Sequence, residues 1–180
     1  IATDSGAQAL KKTFFDVGFD LENDPFTRKG VDRRLWLWAH APEQGQASWV
    51  CDLRGVIQLA EFVEKNGIDL VIIDSAKSVA AAGGWNYSDN NAVRAMLKCM
   101  REVVCEPTGC CVDFINHDGR ESGAAAGAKS WKEDVSMSMR LEEAKDDDGR
   151  RVGTKLTFTK DRAAHVDPHR SFVYGLGEEG

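Results

Sequence analysis

The chain has 180 residues, 42% apolar and 29% charged, with a net charge of −6. That length gives one domain with a real core, and two full domains would be a stretch. Its longest apolar runs are far short of a membrane span, and the negative balance gives no global attraction to nucleic acid or acidic lipid.

Ile1 to Thr3 reads as the end of a strand, and Ser5-Gly6 opens a helix, "GAQALKKTFFDVG", with Ala9, Leu10, Phe14 and Val17 at helical spacing. Polar, turn-rich residues follow, and then the strand "RRLWLWAH" and the loop "APEQGQASW". "DLRGVIQLAEFVEKNG" has Leu53, Val56, Ile57, Ala60 and Phe62-Val63 on one broad face, with Gly67 as its stop. It feeds "DLVIIDSAKSVAAAGG", a strand from Leu70 to Ile73 expected to be buried on both faces and followed by a small-residue loop.

"GGWNYSDN" is a loop in which Ser88 or Asp89 caps the helix "NNAVRAMLKCMREVVCE", ended by Pro107 and Gly109. The strand "CCVDFIN" runs into "HDGRESGAAAGAKS", too rich in Gly and Ala to pack on its own. "WKEDVSMSMRLEEAK" and "VGTKLTFTKDR" both alternate around the turn signal "DDDGR", and "RSFVYGL" is a last short strand. The order predicts a single α/β domain over 1–180: a mostly parallel sheet flanked by helices, with antiparallel C-terminal strands at one edge. The five cysteines (Cys51, Cys99, Cys105, Cys110 and Cys111) lack zinc-like spacing and read as reduced thiols of a cytoplasmic protein.

Ligands of open parallel sheets bind beyond the carboxyl ends of the strands. There this sheet is expected to present Asp4, Asp74-Ser75 and Asn116-His117. Burying an unpaired carboxylate is costly, so Asp74, at the end of an apolar run, shifts its pKa, finds partners or faces a cation.

"LVIIDS" resembles the Walker B strand of RecA-type ATPases. "DNNAVRAMLKCMREVVCEPTGCCVDFINHDGRESGAAAGAKSWKEDVSMSMRLEE" is similar to the core of hexameric replicative helicases of the RepA and DnaB type. "LTFTKDRAA" looks like that family's late strand ending in Lys-x-Arg, and "IATDSGAQALKK" resembles the strand after its phosphate-binding loop. The resemblance implies a RecA-like fold, ATP and Mg²⁺ as cofactors, single-stranded DNA as partner and a homo-oligomeric ring.

By the same resemblance, Asp74 would hold the Mg²⁺ of ATP through water and Ser75 would support that shell. Asp4 falls where the family usually has a glutamate that activates the attacking water, and His117 would sense the γ-phosphate. Arg120, Lys129 and Lys132 would give the Gly/Ala-rich loop its contact with DNA. Lys160 and Arg162 would reach a neighbouring subunit's ATP as an arginine finger does.

Each residue also has a plainer reading. Asp74 could be a loop cap, Asp4 a helix N-cap, His117 a hydrogen-bonded structural histidine, Lys160 and Arg162 a solvated strand face, and the loop filler. No G-x-x-x-x-G-K-[ST] occurs in the 180 residues, and the opening "IATDSG" starts mid-strand. The expectation is therefore a fragment of the later part of an ATPase core, inactive without its phosphate-binding segment. The alternative is a non-catalytic RecA-fold module for DNA binding or assembly.

Overall fold

The computed structural model of the chain describes residues 2–6, 39–40, 49–117, 127–163, 166 and 170–175, the first two segments as backbone only. The helix expected after Ser5-Gly6, most of the strand "RRLWLWAH" and Arg120 with its Gly/Ala-rich loop lie outside the described residues. The chain divides into two compact units, Ile1–Lys129 and Ser130–Gly180.

In the first unit, β1 (Ala2–Gly6), β2 (Ala39–His40), β3 (Leu70–Asp74) and β4 (Cys111–Ile115) form a wholly parallel sheet in the order β2-β1-β3-β4. Helix α1 (Leu53–Asn66) starts on Asp52, whose carboxylate accepts the Gly55 N–H at 2.7 Å, and stops at Gly67 in the left-handed region (φ 60°). Of the expected apolar face only Val56 and Val63 are buried, joined by Leu59, while Leu53 and Ile57 are exposed, because the buried stripe is narrower than the broad face read from the periodicity.

Two corrections concern the segment around Asp74. The small-residue stretch expected to be a loop contains a helix, α2 (Ala76–Ala82), which buries Ala76, Val79 and Ala80. Alanine is the strongest helix former, and Ala76 and Ala80 here serve with Val79 as close-packing surface. The strand expected to be buried on both faces alternates: Val71 and Ile73 are buried, while Leu70 and Ile72 are 52% and 45% exposed. Asp74 has the parity of Leu70 and Ile72, so it lies on the more open face and its carboxylate is half-buried.

Helix α3 (Asn90–Met100) is capped by Asp89, which accepts the Ala92 N–H at 2.8 Å, so Asp89 rather than Ser88 is the cap. The helix continues through a π-helical turn (Arg101–Cys105) into α4 (Glu106–Thr108), and Gly109 at φ 73° ends it. Pro107 does not break the run, because it stands in the first turn of α4, where its missing N–H costs little. Val93, Met96, Leu97, Met100 and Val104 from this run share the buried core with Val71, Ile73 and the inner side of α1.

In the second unit α5 (Ser130–Glu133) precedes β5 (Met137–Lys145), β6 (Arg151–Asp161) and β7 (Ser171–Gly175), an antiparallel meander. Asp146 organises the hairpin turn, its carboxylate accepting the N–H groups of Asp148 (3.0 Å) and Arg150 (2.8 Å). Two expectations are corrected here. Trp131 and its neighbours are helical, and alternation begins only at Met137. Among the described residues the three strands hydrogen-bond to one another as a separate sheet, not as an edge of the parallel one. Alternation fixes which face a strand buries but not which sheet it joins, so the sequence pattern was silent on this point.

Candidate functional site at the carboxyl rim of the parallel sheet

The strand order decides where a ligand has room. β1 connects onward to β2 on one side, and β3 connects onward to β4 on the other. From the central β1–β3 pair the strand order therefore runs outward in opposite directions. This is the topological switch point at which open α/β sheets take their ligands.

Register places the sequence-identified residues around that point. Ala2 of β1 stands opposite Asp74, and Asp74 stands opposite Ile115 of β4. Asp4 lies two residues beyond that level on one side of β3, and His117 two residues beyond it on the other. Strands spaced at about 4.8 Å put the β1 and β4 backbones about 10 Å apart across β3. Asp4 is not at the end of its strand as expected but inside it, since β1 runs on to Gly6. The helix N-cap reading of Asp4 therefore lapses.

Ser75 follows Asp74 across a cis peptide and is 2% exposed. Its hydroxyl donates to Ser78 Oγ at 3.3 Å, and its carbonyl accepts the Val79 N–H at 3.1 Å, so the residue opens α2. His117 is exposed, directly after the half-buried Asn116.

Tyr87, in the loop between α2 and α3, binds this rim together. Its hydroxyl donates to Asn116 Oδ1. Its carbonyl accepts the Ala128 N–H at 3.2 Å. Its ring lies against Gly127, where an added Cβ would come within 2.4 Å of Cε1. Burial raises the Tyr87 pKa, and the Asn116 hydrogen bond partly offsets the rise. The phenol is therefore a neutral donor throughout the physiological range. The adjoining Trp85 donates its indole N–H to the Cys51 carbonyl at 2.5 Å, which anchors the loop from beneath. An isolated aromatic in a polar loop carries no periodic signal, so only the fold brings Tyr87 to light.

Lys160 and Arg162 belong to the second unit. The Lys160 ammonium donates to the carbonyls of Lys132 (2.9 Å) and Glu133, and Arg162 Nη2 donates to Glu133 O at 2.5 Å. Both cations thus close the carboxyl end of α5, where unpaired carbonyls attract positive charge. Desolvation first, and the neighbouring Arg162 charge second, lower the Lys160 pKa. Lys129 and Lys132 are exposed.

Among the described residues no group of three or more His, Cys, Asp and Glu side chains is placed to hold a metal ion. The five cysteines are free thiols. No helix among the described residues is long and apolar enough to cross a membrane. Comparison with family models and with curated proteins gives no match.

Proposed function

We propose that this chain carries the nucleotide site of a RecA-like ATPase, with Mg²⁺·ATP over the crevice between β1 and β3 and Asp74 as the carboxylate nearest its cation. The observation that carries the reading is the coincidence of the strand-order switch point with the acid that ends β3. An apolar strand delivering a half-buried carboxylate to that point has a ready use for a cation that arrives with its own phosphate ligands.

On this reading Asp4, on β1, stands on the side from which water would attack a γ-phosphate, and His117, on β4, stands where the phosphate's presence could be sensed. Ser75, which opens α2 directly after Asp74, supports the shell around that cation on this reading. Coupling to single-stranded DNA and assembly into a ring belong to the same reading, supported by the motif order and by the exposed Lys129 and Lys132. Lys160 and Arg162 have backbone partners within their own unit, so a role across a subunit boundary requires them to leave those carbonyls.

The test is ATP hydrolysis by the full product of the gene, with and without single-stranded DNA, for the wild type and for Asp74→Ala. Magnesium-dependent hydrolysis that Asp74→Ala abolishes supports the proposal. An inactive wild type that binds single-stranded DNA tightly without nucleotide replaces it with a non-catalytic RecA-fold module.

A further inference from the structure

Resting on the nucleotide reading of the rim, we propose that Tyr87 is a positioning residue: it fixes Asn116, and through the next peptide the backbone of His117, beside the carboxyl end of β3. Three attachments converge on this one residue, from two different parts of the first unit. The hydroxyl holds the first residue beyond β4. The main-chain carbonyl holds Ala128, and the ring occupies the space above Gly127. A side chain needed only for packing would have no use for a hydroxyl aimed at a strand end.

The frame around Tyr87 is itself fixed. Two residues before it, the Trp85 indole is tied to the Cys51 carbonyl, and two residues after it Asp89 caps α3. Tyr87 is therefore held from both sides, and Asn116 and His117 directly follow the last residue of β4. Since the Gly127 φ is 92° and a Cβ there would strike the ring, glycine at 127 is part of the same device.

Tyr87→Phe keeps the ring and deletes the hydroxyl. The readout is the His117 imidazole Cε1–H resonance of the full chain at one fixed pH, assigned with His117→Asn. In Tyr87→Phe the His117 resonance shifts, while the Trp131 indole signal in the second unit stays in place. Asn116→Leu breaks the same link from the other end and gives the same shift, and the double variant shifts no further. This second variant also decides the matter should Tyr87→Phe fail to fold. His117 signals that superimpose on wild type in either folded variant, or shifts that simply add in the double variant, overturn the proposal. A separate addition of Mg²⁺·ATP to the wild type tests the underlying reading. A wild-type His117 that ignores the nucleotide defeats the ATP assignment but leaves the Tyr87 result standing.

Discussion

Asp74 stands directly opposite Ile115 in the parallel ladder, one residue short of Asn116 and two short of His117. That register places an acid, an amide and an imidazole within a few residues' rise of one another, on strands that are hydrogen-bonded neighbours. The same strand pairs with Ala2 on its other side, which brings Asp4 to the rim by the same count. β3 and β4 end in step at Asp74 and Ile115, whereas β1 starts at that level and runs on to Gly6, which carries Asp4 past the end of β3.

Ile73 is fully buried one residue before Asp74, whereas Ile72 is 45% exposed. Ile73→Ala is expected to cost about 2–5 kcal/mol, from lost burial and the cavity left behind, and Ile72→Ala clearly less. Urea denaturation of both variants checks this. Equal losses would mean that β3 is covered on both faces in solution.

The carboxylate of Asp89 receives the Ala92 N–H at the start of α3. Asp89→Ala should lower stability by about 1 kcal/mol, while Ser88→Ala should leave the urea midpoint essentially unmoved. The reverse order would move the start of α3 one residue upstream.

Burial raises the Cys51 thiol from the ordinary 9.0 to about 12, and the Cys110 thiol to about 11. The folded state therefore keeps protons that the unfolded chain gives up. This contribution to stability is intact below about pH 9 and is lost as pH rises from there through the folded-state values. The urea midpoint should fall between pH 8 and pH 11, with a smaller fall in Cys51→Ala. At pH 8 a thiol reagent should modify the exposed Cys111 rapidly, and Cys51 and Cys110 only on unfolding. Fast native-state labelling of Cys51 would contradict its placement.

Lys160 and Arg162 both donate to carbonyls at the end of α5. Lys160→Met should speed amide hydrogen exchange at residues 130–134 several-fold without affecting α1 or α3 in the first unit. Unchanged exchange in α5 would free the lysine for a role elsewhere.

Much of this arrangement was legible before any coordinates. The periodicity that includes Val56 and Val63, with Gly67 behind them, predicts α1, although Leu53 and Ile57 of the same face are exposed, and Ser88 or Asp89 as cap bounds the start of α3 to one residue. The apolar run ending in Asp74 located the rim. What escaped the sequence has identifiable causes. Ala76–Ala82 resembles a loop by composition because small residues are ambiguous between flexible linker and tight packing. Trp131 looked like part of an alternating strand because three residues of alternation are too few to exclude one helical turn. Asp4 looked like a strand end because nothing in "ATDSG" marks where pairing stops. Tyr87 was invisible as a site residue because its partners, Asn116, Gly127 and Ala128, are 29 to 41 positions away in the sequence.

The central claim is that the crevice between β1 and β3 takes a magnesium-bearing triphosphate with Asp74 beside the cation. Calorimetric titration of ATP into the full product of the gene, in Mg²⁺ and in chelator, tests it most directly when repeated on Asp74→Asn. The account predicts wild-type affinity at least tenfold higher with Mg²⁺ than without, and loss of most of that difference in Asp74→Asn. An equal magnesium dependence in wild type and Asp74→Asn would contradict it.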